Sequence, residues 1–77
     1  MPTVIIKDGF RFFFFSNEGL EPPHIHVELA EGYAKYWLDP IVLAFSVGFN
    51  SRQLSRIRNL VVENQELFIH AWHDYFN

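Results

Sequence analysis

The spacing of apolar positions changes along the chain, from a period of two in the first half to about 3.6 in the second. Thr3-Val4-Ile5-Ile6-Lys7 is a short β-branched run, and Asp8-Gly9 follows it. Asp-Gly between two apolar runs signals a hairpin, because both central residues of the tight turn need positive φ. Phe10 to Phe15 is then the second strand. The stretches Ser16-Asn17-Glu18-Gly19 and Glu21-Pro22-Pro23 are polar and proline-stiffened, which marks a connection and not a central strand. His24 to Ala30 alternates, with Ile25, Val27 and Leu29 to one side and His24, His26 and Glu28 to the other. Glu31-Gly32 predicts a second tight turn, and Tyr33 to Leu38 a fourth strand ended by Asp39-Pro40. Strands joined in this order predict an antiparallel meander.

Residues 41–49 form an apolar connecting segment with Gly48 near its end, readable as a short strand or as a buried helical turn. Asn50-Ser51 supplies a helix N-cap. After it Leu54, Ile57, Leu60, Val61, Phe68, Ala71, Trp72 and Tyr75 fall on one stripe. No Gly or Pro interrupts residues 51–77, so one long helix over 51–76 is expected; a bend, if it has one, falls near Glu63-Asn64-Gln65. The predicted fold is a single α+β domain over 1–77. An antiparallel sheet of about four strands occupies 1–40, and the C-terminal helix packs on one face.

Composition sharpens the picture. Aromatic residues make up 18% of the 77, nine of them Phe, and there is no cysteine, so disulfides and thiolate metal sites are excluded. A chain this short often needs a staple or a partner. One helix covers one sheet face, and the other should then be polar. Here Phe10, Phe12 and Phe14 oppose Arg11, Phe13 and Phe15, while Tyr33, Lys35 and Trp37 oppose Ala34, Tyr36 and Leu38. Aromatic rings therefore fall on both faces. Either the 41–49 segment folds back over the second face, or that face is an interaction site. Under both readings a protein partner is favoured, a second copy of the chain included, and Phe12, Phe14, Tyr33, Lys35 and Trp37 are candidate contacts.

The four histidines fall in two pairs. His24-x-His26 on a strand places both imidazoles on one side, about 6.5–7 Å apart along the strand, with Glu28 next in the row. His70 and His73 share a helix face beside Asp74. Three readings stay open for these groups. They are structural hydrogen-bonding residues that order the Pro22-Pro23 loop, or ligands of a divalent metal, or the acid and base of phosphodiester cleavage. Net charge is −3, yet Arg52, Arg56 and Arg58 cluster in the first turns of the helix, where the macrodipole disfavours cations. Arg52 and Arg56 share a face and join the candidate partner contacts. With no long basic stripe and no helix-turn-helix, nucleic acid is a less favoured partner. No apolar run approaches the length of a membrane span, no secretory leader is visible, and no Gly-rich phosphate loop is present, so a cytoplasmic protein without a cofactor is expected.

The strings RFFFFSNEG over residues 11–19 and EPPHIHVE over 21–28 resemble a family of small prokaryotic proteins known as domain of unknown function 4160. So do Ala34-Lys35 with Trp37-Leu38-Asp39-Pro40, Leu43-Ala44, Gly48-Phe49 and the terminal Ala71-Trp72-His73-Asp74-Tyr75-Phe76. The resemblance implies a stand-alone cytoplasmic protein of bacteria or their mobile elements. It also implies a gene beside that of another short domain, similar to a toxin–antitoxin pair. Its motifs highlight His24, His26, Glu28, Lys35, Trp37 and Asp39. Phe45 and Val47 stand where polar or basic residues are common in the family, which favours protein contact over nucleic acid. The expectation is a non-enzymatic regulatory module acting by protein–protein contact in a two-gene or phage system, with an inhibitor of a host defence complex as a close variant. The alternative is an RNA-cleaving or metal-dependent toxin that uses His24, His26 and Glu28.

Overall fold

Five strands and two helices make up the computed structural model, which describes residues 3–76. In chain order they are β1 (Thr3–Lys7), β2 (Phe10–Phe13), β3 (His24–Leu29), β4 (Gly32–Leu38), β5 (Ile41–Val47), α1 (Ser51–Glu63) and α2 (Gln65–Phe76). The strands lie side by side in that order, each antiparallel to the next. The chain is thus α+β, as its two periods predict.

The first hairpin turns at Asp8 (φ 54°) and Gly9 (φ 83°), the two positive values that the Asp-Gly signal requires. The second turn is displaced from its expected position by one residue. Ala30 (φ 52°) and Glu31 form it, and Gly32 opens β4. Gly32 is needed for space, since a Cβ there would overlap the Phe49 ring.

Residues 41–49 correct the count of about four strands. Ile41–Val47 pairs with β4 along its length after the Asp39-Pro40 turn, with Lys35 opposite Phe45 and Tyr36 opposite Leu43, so that Ala44 is a bulge. The segment neither coils nor folds back over the sheet. It extends the sheet by one edge strand.

One face of the sheet carries Phe10, Phe12, Ile25, Val27, Ala34, Tyr36 and Leu38, which pack with Phe14 against Ile57, Leu60 and Val61 of α1 and Phe68 and Trp72 of α2. Phe12 stacks on Phe68 with ring centroids 5.2 Å apart. Phe12 and Phe14 therefore lie in the core under the helices, and not on a partner-binding face.

The helical half begins as its sequence predicts. Asn50 caps α1, with Gln53 N–H donating to Asn50 Oδ1 (2.8 Å) and Asn50 N–H to Gln53 Oε1 (2.9 Å). The single long helix is corrected to two. Asn64 leaves helical geometry, its side-chain Nδ2 donates to the Leu60 carbonyl (2.8 Å), and Gln65 Nε2 donates to the Leu38 carbonyl (2.7 Å). The Asn64 backbone N–H still donates to the same carbonyl (3.0 Å), so its side chain adds a second bond at the cap, and Gln65 fastens the break to the end of β4. Among the described residues no helix is long and apolar enough to cross a membrane.

Candidate functional site

The connection between β2 and β3 turns back so that Glu18 meets both histidines of β3. The turn is closed by Glu21 N–H donating to the Glu18 carbonyl (3.1 Å), and Phe15 N–H donates to Glu18 Oε1 (3.1 Å). His24 Nε2 and His26 Nε2 each stand 2.8 Å from Glu18 Oε1, and His26 Nε2 is 3.0 Å from Oε2. The outer ring nitrogens are also engaged. His24 Nδ1 is 3.0 Å from the Pro22 carbonyl, and His26 Nδ1 is 2.6 Å from the Tyr33 hydroxyl. Both imidazoles are buried, while Glu18 keeps 14% of its side chain exposed.

The protons follow from these partners. Burial alone raises the pKa of Glu18. Hydrogen bonds from His24, His26 and the Phe15 amide, with the charge of His26, outweigh it and hold the carboxyl below its ordinary value. Glu18 is therefore an acceptor. A backbone carbonyl only accepts, so His24 Nδ1 donates to Pro22. His24 Nε2 faces the same Glu18 oxygen at 2.8 Å. His26 differs. Burial lowers its pKa; the Glu18 hydrogen bond and charge oppose this, and the charges of His24 and Lys35 add to it. A neutral His26 donates from Nε2 to Glu18 and accepts at Nδ1 from Tyr33. Burial and the Glu18 charge raise the Tyr33 pKa, which keeps its hydroxyl protonated for that bond.

Aromatic rings fix the imidazoles. His26 stacks on Phe13 (5.4 Å) and Tyr33 (5.7 Å) and meets the edge of Phe15 (4.8 Å). His24 lies against Trp72 (4.6 Å) and Trp37 (5.6 Å). At the rim Lys35 Nζ donates to Glu21 Oε1 (2.8 Å) and sits 4.4 Å from the Trp37 ring centre.

The row of His24, His26 and Glu28 is thus redistributed. Glu28 pairs across the sheet with Arg11 (2.7 Å), its register partner in β2. The carboxylate on the histidines is Glu18, which strand alternation does not reach. The only trace of it in the sequence is an acid in a proline-stiffened loop just before the His-x-His strand. His70 and His73 are exposed on α2, where His70 Nε2 is 3.3 Å from Asp74 Oδ2, and they do not join the cluster. Tyr33, Lys35 and Trp37 border it, half-buried. Arg56 pairs with Asp8 at the first hairpin, and Arg52 is exposed on α1. Two imidazoles and a carboxylate whose donor atoms lie within 4.8 Å of one another can hold a proton or a cation.

A family model described as Domain of unknown function (DUF4160) matches residues 9–73. No curated protein and no solved structure matches the chain.

Proposed function

The chain belongs to the DUF4160 family, and from that footing we propose that it is a small non-enzymatic binding module whose β5 edge takes up an extended segment of a partner protein. The observation that carries this reading is the character of β5. It is an outer strand of seven residues, IVLAFSV, with neither a charge nor a proline. Val42, Leu43, Phe45 and Val47 are 49%, 40%, 54% and 55% exposed. Proteins ordinarily blunt such edges with lysine, proline or a covering element. The opposite edge follows that rule, with Lys7 in β1.

An uncovered edge offers main-chain donors and acceptors to an added strand, and its side chains set specificity. Val42 and Phe45 lie opposite Trp37 and Lys35, and Phe45 contacts Tyr33 (5.9 Å), so an added strand also meets the aromatic rim of the histidine face. The partner is then the product of a neighbouring short gene, in keeping with the two-gene arrangement that the family resemblance implies, or a host complex that the module inhibits. Burial of both imidazoles speaks for this role over RNA cleavage, since a general acid and base must reach the substrate.

The test is a titration of the purified chain with the product of the adjacent gene, read by light scattering and amide exchange. Protection of residues 41–47 is expected. Phe45→Lys and Val47→Lys should each weaken the complex tenfold or more, since each removes about 1.5–3 kcal/mol of apolar burial. Unchanged affinity in both variants, or protection confined to the helices, overturns the reading. A dimer of the chain that forms through β5 and excludes the partner replaces capture by self-association.

A further inference from the structure

We infer that Glu18, His24 and His26 bind one divalent transition-metal ion of the zinc class, which clamps residues 14–23 onto β3. This site is separate from the β5 edge and stands or falls independently of it. Three observations carry it.

The first is the donor set. Two imidazole nitrogens and a carboxylate oxygen converge with all ligand atoms within 4.8 Å of one another. Zinc and ferrous iron accept such mixed nitrogen and oxygen donors, whereas calcium and magnesium prefer oxygen alone.

The second is the outer partners of the two rings. His24 Nδ1 donates to the Pro22 carbonyl (3.0 Å), which directs Nε2 inward. A ligating histidine characteristically spends its other N–H in this way. His26 Nδ1 meets the Tyr33 hydroxyl (2.6 Å), a group that accepts as well as it donates. His26 can therefore carry its hydrogen on Nδ1 and present the Nε2 lone pair. On binding, each Nε2 gives up the hydrogen it shares with Glu18: that between His24 and Glu18 leaves to solvent, and that of His26 moves to Nδ1. Glu18 is already ionised.

The third is the mechanics of the cluster. His24 and His26 are wedged among Phe13, Phe15, Tyr33, Trp37 and Trp72, while Glu18 rides on the connection. The Nε2–Oε1 separations are 2.8 Å. Bonds of about 2.0–2.2 Å in a tetrahedral site place donors roughly 3.3–3.5 Å apart, so each Nε2–Oε1 separation has to open by about half an ångström. Water reaching the exposed edge of Glu18 completes the coordination.

The experiment titrates the tag-free, chelator-treated chain with Zn²⁺ and with Co²⁺. One equivalent should bind. The melting temperature should rise by about 10–20 °C once free metal is a hundredfold above Kd. Ring-nitrogen NMR signals of His24 and His26 should shift while those of His70 and His73 stay in place. Glu18→Gln, which keeps the shape of the side chain, should lose the equivalent; His70→Ala/His73→Ala should keep it. Absence of saturable uptake, ring shifts confined to His70 and His73, or undiminished binding by folded Glu18→Gln overturns the inference. If Glu18→Gln does not fold, the ring signals of the unaltered chain decide.

Discussion

Glu18 Oε1 stands 2.8 Å from His24 Nε2, a bond that spans six residues and turns a proline-stiffened connection into a strap over the end of β3. The same oxygen takes the His26 hydrogen bond and the Phe15 amide, so one side chain satisfies three donors. Among the described residues no buried side-chain nitrogen or oxygen lacks a partner. Glu18→Ala strands two imidazole donors in an apolar setting. The expected loss is about 2–4 kcal/mol, since hydrogen bonds to a charged group contribute about 1.5–3 kcal/mol and orphaned donors add to the cost. Urea unfolding measures it. A loss below about 1 kcal/mol would show that the strap does not hold.

The pH dependence in metal-free buffer has a definite sign. The folded pKa of His26 lies below its unfolded value near 6.5, so the folded state binds fewer protons there. That contribution is present above pH 6.5 and is lost as pH falls toward the folded value. Glu18 is also lowered in the fold, and its contribution, present above 4.5, is lost as pH falls through its folded value. The groups facing His26 are Glu18, His24, Tyr33 and Lys35. Both shifts act in one direction. Urea midpoints should fall from pH 8 to pH 5 and again below 4.5, and a flat profile from pH 8 to pH 5 contradicts the assignment of a neutral His26.

The core and the cluster share Trp72. Its indole contacts Phe14 (5.5 Å) and Phe76 (4.2 Å) on the apolar side and the His24 ring (4.6 Å) on the other. Trp72→Ala and Phe68→Ala should each cost about 3–5 kcal/mol, as buried aromatic truncations do. They differ in coupling. Combined with Glu18→Ala, the Phe68 change should add, while the Trp72 change should fall short of additive by 0.5 kcal/mol or more, because either substitution alone already loosens His24. Equal behaviour in the two double-mutant cycles would separate the cluster from the core.

Local chemistry was legible in the sequence and distant chemistry was not. Asp8-Gly9, the Asn50 cap and the alternation of β3 depend on neighbours within a few residues, and each appears where the pattern places it. β5 stayed open between a strand and a helical turn because an edge strand with apolar residues on both sides has no alternation to read. The break falls at Glu63-Asn64-Gln65, where the sequence places a bend within one long helix, and it reads as no more than a bend because Asn64 is tolerated in helices. At the break the Asn64 side chain bonds the Leu60 carbonyl and Gln65 reaches Leu38, 27 residues away. Glu28 has the parity of the histidine row, but Arg11 in the next strand claims it. Glu18 sits in a loop, where no period exists to flag it.

The second turn offers a pair of substitutions with opposite signs. The sequence suggests glycine at the turn, yet Ala30 holds the positive φ of 52° and Gly32 stands in the strand. The left-handed conformation costs an alanine roughly 1 kcal/mol relative to glycine. Ala30→Gly relieves this, and part of the gain returns as added freedom in the unfolded chain. A net stabilisation of about 0.5 kcal/mol is expected. Gly32→Ala is a steric problem instead, because the new methyl meets the ring of Phe49, which packs edge-on against Phe10 at 5.9 Å. Displacing that ring should cost about 1–3 kcal/mol, in the range of overpacked cores. Phe49→Ala removes the obstruction, so Gly32→Ala introduced on that background should cost less than half as much. Thermal melts of the four variants decide the matter. An equal penalty with and without the Phe49 ring would place the cause in the Gly32 backbone.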